Sequence, residues 1–140
     1  MHYEVSLIVR VPRDRAYSAY ADFEAMPRWS SQKQMVRVSR REGNMVYLEM
    51  APGAGGRRTT REMKIFPPKR VESEGETSFT RTKSVVSFEE VPEGTKVTAS
   101  LDVQVKGRWS WVVRSRGKTE VESSALEELT SFAKYAENLR

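Results

Sequence analysis

The 140-residue sequence contains no cysteine and only one histidine, His2. Without cysteine the chain has no disulfide, no thiolate nucleophile and no sulfur ligand for a metal. One histidine does not supply a zinc site of the usual kind. His2 is also the second residue, where chain ends often fray, so it is a poor candidate for a catalytic base. We therefore expect no metal site.

Cofactor and membrane signals are missing too. The sequence has no nucleophile elbow, P-loop or dinucleotide fingerprint, and no helix is predicted after the glycine-rich segment 53–56, which argues against phosphate binding. No apolar run approaches the roughly 20 residues of a transmembrane helix. The first residues alternate instead of forming a signal sequence. We expect no cofactor and predict a soluble, cytoplasmic protein, which also fits the lack of disulfides.

Charge is plentiful but dispersed. The net charge is +5, yet no run of five or more basic residues occurs. A positive balance favours anionic ligands, acidic membranes or nucleic acid, whereas dispersed charge is more typical of an ordinary solvated surface. Nucleic acid is therefore not the expected partner, and the sequence does not define an oligomeric state.

Hydrophobic periodicity predicts strands through most of the chain. Residues 3–11 alternate between apolar and polar and predict a half-buried strand that ends at Pro12. A short helix near Arg13, capped by Asp14, and a second helical turn over 24–29 follow. About six further strands are predicted, at Met35–Arg41, Asn44–Met50, Arg57–Phe66, Lys69–Glu74, Ser84–Val91 and Thr95–Val105.

The C-terminal segment has a different period. Apolar residues recur at spacings of three and four from Val121 to Leu139, which predicts a long amphipathic helix. It could begin as early as Trp109, with Gly117 as a weak point. Because an antiparallel sheet needs one face covered, this helix should pack against it. We predict one α+β domain over residues 1–140, with a seven-stranded antiparallel sheet around the C-terminal helix and two short helices after strand 1.

Three segments resemble the START/polyketide-cyclase (SRPBCC) superfamily, whose fold is called the helix grip. The matching residues are Val11-Pro12 with Ala16-Tyr17, Asp22-Phe23-Glu24 and Pro27-Arg28-Trp29, then Phe88 with Glu93-Gly94-Thr95-Lys96-Val97, and finally Leu126 and Leu129 with Lys134–Glu137. The resemblance covers nearly the whole chain. It implies a cavity between the sheet and the long helix. Members include lipid carriers, quinone-binding proteins, aromatic polyketide cyclases and hormone or alkaloid binders.

The implied cavity needs a lining, and large apolar residues on the predicted elements are the candidates. They are Phe23, Trp29, Tyr47, Met63, Phe88, Leu101, Leu129 and Phe132. By resemblance, Trp29 lies near the cavity mouth and Trp109 and Trp111 near the start of the long helix. Core packing is the alternative role for these tryptophans. An apolar lip of this kind would also permit transient contact with a membrane.

Charged residues raise a separate question. In the strand 57–66, Arg61 shares a face with Met63, and Glu62 shares the other face with Lys64. Whichever face turns inward, a charge points toward the cavity unless the strand lies at an edge. Because an unpaired buried charge is costly, Arg61, or Glu62 with Lys64, is a candidate for binding a polar ligand group. Asp22 and Glu24 could form an acid/base pair, but the resemblance favours a structural role.

Three functions remain open. The first is binding or transport of a small hydrophobic ligand such as a lipid, a quinone or a polyketide-like aromatic. The second is a polyketide cyclase or dehydratase that shapes and desolvates its substrate in the same cavity. The third is an interaction module that uses the basic surface.

Overall fold

The computed structural model describes residues 2–30, 33–52, 59–76, 80–105 and 118–139. The element order confirms the predicted α+β architecture. The elements are β1 (His2–Val9), α1 (Arg13–Ala21), a 3₁₀ helix (Phe23–Arg28), β2 (Lys33–Glu42), β3 (Met45–Pro52), β4 (Thr59–Phe66), β5 (Arg70–Glu76), β6 (Thr80–Val91), β7 (Gly94–Val105) and α2 (Lys118–Asn138).

The strands form one antiparallel sheet in the order β1-β7-β6-β5-β4-β3-β2. Residues directly opposite each other on paired strands share a face of the sheet, so the register assigns an inner and an outer face to each strand. The predicted turn between β2 and β3 is present, with Gly43 at a φ of 58°. Glycine adopts this left-handed conformation at little cost.

The segment after β1 differs in detail from the prediction. Helix α1 begins at Arg13 as expected, but its cap residue is Pro12, and no side chain caps it. Asp14 lies inside the first turn, so the predicted Asp14 cap is wrong. The second helical turn is a 3₁₀ helix that includes Pro27.

The C-terminal half of helix α2 packs over the inner face of the sheet. It packs mainly against β1 and also contacts α1. Two hydrogen bonds fix its C-terminal end: Arg10 N donates to Glu137 Oε2 at 2.9 Å, and Arg15 Nη2 donates to Leu139 O at 2.9 Å. Phe132 is fully buried there, and burying a side chain of this size stabilises the fold by about 1.5–3 kcal/mol.

The described part of the chain contains no helix that is both long enough and apolar enough to cross a membrane. Helix α2 confirms the predicted helix between Val121 and Leu139. The earlier start at Trp109 and the weak point at Gly117 lie outside the described residues.

Candidate functional site

Burial on the inner face changes along β7. Thr95 and Val97, near the start of the strand, are 0% exposed. Ala99, Leu101 and Val103, on the same face of the same strand, are each partly exposed. Side chains on the inner face of a covered sheet should be buried, so this partial exposure shows that the second half of β7 is less completely covered than the first.

Strands β6 and β5 repeat this change, whereas on β1 Tyr3, opposite Leu101, is buried and Leu7, opposite Val97, is partly exposed. On β6, Phe88 is buried, whereas Ser84 and Thr82 are partly exposed, and Gly75 on β5 and Arg61 on β4 are partly exposed as well. We call these partly exposed inner-face residues the open region: Arg61, Gly75, Thr82, Ser84, Ala99, Leu101 and Val103. The buried inner-face residues at the other end form the closed region: Val9, Val71, Val86, Phe88, Thr95 and Val97.

The position of α2 explains the two regions. Its C-terminal end is fixed beside Arg10, at the closed end of β1. Because the helix packs along β1, its N-terminal half lies toward the open region. Leu129 and Phe132 are buried, whereas Ala125 and Glu128, one turn earlier, are partly exposed.

Tyr20 of α1 lies within the aromatic cluster that borders the closed region. Its ring centroid is 5.7 Å from that of Phe88, 5.4 Å from Phe132, 6.0 Å from Trp29 and 6.5 Å from Phe23. Two of these four pairs, Tyr20–Phe23 and Tyr20–Phe132, have the edge-to-face geometry that aromatic rings favour.

The Tyr20 hydroxyl is electrostatically linked to two charged residues. Burial raises the pKa of Tyr20 to about 12, the positive charge of Arg61 opposes this rise, and the negative charge of Glu128 adds to it. The guanidinium of β4 and the carboxylate of α2 therefore both lie within electrostatic range of the phenol of α1.

Arg61 lies on the inner face, opposite the buried Leu48 on β3. Among the described residues, its guanidinium forms no ion pair and no hydrogen bond. It lies against Gly75, where a Cβ atom, if the residue had one, would be 3.1 Å from Arg61 Nε. Within the described part of the chain, the site thus contains a partly buried cation without an anionic partner.

Further polar groups surround this cation. Ser73 and Ser84, opposite each other on the inner face, have hydroxyl oxygens 2.6 Å apart. Ser30 Oγ donates to the Glu128 carboxylate and so links the segment after the 3₁₀ helix to α2. Trp29 Nε1 is buried without a hydrogen-bond partner in the part of the chain that the structure describes.

One predicted lining residue lies on the wrong face. Tyr47 is opposite Glu62 on the outer face, and the guanidinium carbon of Arg40 lies 4.4 Å from its ring centroid. Alternation separates the two faces of β3 but does not say which of them turns inward. Val46 and Leu48 are the inner residues.

Five other predicted lining residues form packed core. Size explains this correction, because large apolar side chains are the ones that fill a core. None of the five is more than 5% exposed, so they offer almost no surface to a ligand: Phe23, Met63, Phe88, Leu129 and Phe132. Leu101, Arg61 and Trp29 are partly exposed, and ligand contact by them stays a prediction. Trp109 lies outside the described residues.

The register decides between the charged candidates on β4. This strand lies between β3 and β5, so it is not an edge. Arg61 faces inward, and Glu62 and Lys64 face outward. Glu24 Oε2 accepts a hydrogen bond from Val38 N at 3.1 Å, a structural contact between the 3₁₀ helix and β2.

The sequence contained signals for some of the missed residues. The apolar side of α1 includes Tyr20, whose hydroxyl needs a partner when buried. Glu128 falls beside the apolar stripe of α2, and Gly75 interrupts a strand, which often marks a close approach. Along α2 itself, an open groove of about 530 Å³ is lined by Leu126 and Glu128 among mainly polar residues. No metal-binding group of histidine and carboxylates occurs among the described residues.

The sheet, the C-terminal helix and the short helices together define a helix-grip protein with a partly exposed region on the inner face of its sheet. Residues 9–128 match the model of the family described as polyketide cyclase / dehydrase and lipid transport. The chain belongs to this family. The comparison with curated proteins finds no match.

Solved structures share the fold at low sequence identity. TTHA0849 from Thermus thermophilus is 18% identical, with a TM-score of 0.82 and 97% of each chain covered. The Zhui aromatase/cyclase from Streptomyces sp. R1128 is 13% identical, with a TM-score of 0.81, and the match covers 98% of this chain and 93% of that one. The di-domain aromatase/cyclase StfQ of the steffimycin pathway is 15% identical, with a TM-score of 0.81, and the match covers 97% of this chain and 50% of StfQ.

Proposed function

We propose that the protein binds a small hydrophobic molecule in the open region, beneath the N-terminal half of α2. Lipids, quinones and polyketide-like aromatics are the ligand classes to test. The observation that carries this proposal is the partial exposure of Ala99, Leu101 and Val103 on a face where Thr95 and Val97 are fully buried. Apolar surface is stabilised by about 25 cal/mol per Å² when it is removed from water, so a ligand with an apolar body would be held there.

Membership of the family supports the proposal, because its description includes lipid transport as well as cyclase and dehydrase members. The charges on the outer face support the proposal indirectly, because they weaken one of its alternatives. Ion pairs such as Arg37–Glu49 at 3.1 Å and Lys83–Glu74 at 3.5 Å intersperse acids among the bases of the outer face. This mixture weakens the alternative of a module that reads nucleic acid. A soluble, cytoplasmic location and transient membrane contact stay predictions.

Native mass spectrometry of the purified protein, with panels of lipids, quinones and aromatic polyketide analogues, tests the proposal. We expect a bound mass with at least one panel. The variant Leu101→Trp, which fills the open region, should lose that mass. Tyr47→Phe, on the outer face, is the matched control and should retain it. Wild-type protein that stays unliganded with every panel would contradict the proposal.

A second candidate is an enzyme of the cyclase or dehydratase type. The arrangement of Tyr20, Arg61 and Glu128 favours it, because ionisable groups from three elements converge at the border of the open region. Such an enzyme would act mainly by holding a reactive chain in a folded, desolvated state. Product analysis with a polyketide-like substrate should show loss of turnover in Arg61→Ala and in Tyr20→Phe. Unchanged turnover in both variants would exclude this form of catalysis.

A further inference from the structure

Arg61 differs from the paired basic residues of the sheet in having no acidic partner among the described residues. The paired residues lie on the outer face and form ion pairs with neighbouring carboxylates. The pairs are Arg37–Glu49 at 3.1 Å, Arg40–Glu42 at 3.3 Å, Arg70–Glu72 at 3.8 Å and Lys83–Glu74 at 3.5 Å. Arg41, Lys64, Arg81 and Lys96 also form no ion pair among the described residues, but all four are exposed. Arg61 is different because it is partly buried on the inner face.

The nearby acids do not compensate for this charge. Glu62 and Glu74 are opposite each other on the outer face, so the sheet separates them from the guanidinium. Glu128 influences the same tyrosine as Arg61, but its carboxylate accepts a hydrogen bond from Ser30 and forms no ion pair with Arg61. A partly buried cation without a partner is unfavourable, and an anion that enters the open region would relieve that cost.

Gly75 leaves room for the guanidinium of Arg61 beside β5. A Cβ atom on this residue would lie 3.1 Å from Arg61 Nε and 3.4 Å from Nη2. Glycine in the interior of a strand weakens it and often marks a close approach. Here the approaching group is the guanidinium, which lies against the bare backbone of β5. Gly75 therefore acts as a positioning residue, since a larger side chain would push the guanidinium away from the sheet.

We propose that the ligand is an amphiphilic acid that carries one carboxylate on an apolar body. The carboxylate pairs with Arg61, whose planar guanidinium suits a two-point contact, and the apolar body covers Ala99 and Leu101. A single negative charge fits best, because the site has one unpaired cation among its described residues. This inference rests on the proposed function.

Matched ligands at pH 7.5 test the inference, because a carboxylate is ionised there. Dodecanoate is compared with dodecanol, and 2-naphthoate with 2-naphthylmethanol, by calorimetric titration. We expect wild-type protein to bind each acid about tenfold or more tightly than its alcohol. Arg61→Gln should abolish that preference by weakening the acid far more than the alcohol. Arg61→Lys should retain part of it, and the outer-face control Tyr47→Phe should retain all of it.

Gly75→Ala tests the positioning role. It should reduce the acid-to-alcohol preference several-fold by weakening the acid more than the alcohol. If Gly75→Ala weakens acid and alcohol equally, its role is only structural and the positioning role is overturned.

The remaining outcomes separate this inference from the proposed function. If wild-type protein binds acids and alcohols equally well, the acidic ligand is excluded and hydrophobic binding stands. If dodecyl phosphate, largely dianionic at this pH, binds more tightly than dodecanoate, the monoanionic class is wrong. If no acid, alcohol or panel compound binds, the proposed function fails as well.

Discussion

The closed and open regions occupy the same face of the sheet and share β5, β6 and β7, yet they differ in packing and in polarity. The closed region contains Val97 and Phe88 beneath the buried Phe132 of α2. The open region contains Arg61 and Ser84 among apolar residues that stay partly exposed. One end of the inner face is therefore packed core, and the other end leaves part of its surface exposed. A helix fixed at one end is enough to produce this division.

Core truncation should show the largest difference between the regions. Phe132→Ala should lower the free energy of unfolding by about 4 kcal/mol, because the side chain is fully buried. A matched pair then compares leucines of the inner face. Leu48→Ala, at 1% exposure, should cost about 2–4 kcal/mol, and Leu101→Ala about 1 kcal/mol. Chemical denaturation measures all three. Equal costs for the two leucines would mean that the open region is packed like the core.

Two glycines give the next comparison. Gly94, at the closed end, has a φ of 143°, and a Cβ atom there would overlap the Val9 carbonyl oxygen and lie 3.0 Å from Arg10 Cα. Gly94→Ala should therefore cost about 3 kcal/mol. Gly75→Ala meets only the end of a flexible side chain and should cost less than about 1 kcal/mol in the denaturation experiment. A larger loss for Gly75→Ala than for Gly94→Ala would contradict this assignment.

Periodicity was sufficient to predict the fold. Alternation identified the strands, and a spacing of three and four identified α2, because these patterns follow directly from backbone geometry. The alternation of β4 also placed Arg61 and Met63 on one face. The N-cap of α1 was harder to predict than these elements, because any short polar residue near the start of a helix is a candidate cap in the sequence.

The site was harder to predict than the fold, for two physical reasons. Alternation separates the faces of a strand without identifying the inner one, and Tyr47 was assigned to the wrong face for this reason. Size does not distinguish a cavity wall from a core, and Phe132 and Met63 proved to be core. The electrostatic link of Tyr20 with Arg61 and Glu128 depends on three distant segments meeting, which no local pattern records.

Raising the pH should change the free energy of unfolding by a smaller amount, through the ionisation of Tyr20 at the border of the two regions. The pKa of Tyr20 is raised to about 12, chiefly by burial. The stability that this neutral phenol contributes is present below pH 10 and is lost as the pH rises from about 10 through 12, because the unfolded chain ionises first. The loss should be about 2 kcal/mol. Tyr20→Phe should remove it in denaturation curves recorded across this range, and Tyr47→Phe should not.

The smallest effect on stability is expected from the outer face at the open end. There, His2 Nδ1 lies 2.9 Å from Asp102 Oδ1. The hydrogen bond to Asp102 is the main cause that raises the pKa of His2 above 6.5, and Glu4 adds to it. The stabilisation from charged His2 is thus present below about pH 6.5 and is lost as the pH rises through the raised pKa. Proton NMR should show the His2 pKa moving down in Asp102→Asn. Because the sheet separates this pair from Arg61, the same variant should leave ligand affinity unchanged, and a change in affinity would show that the two faces of the open end are coupled.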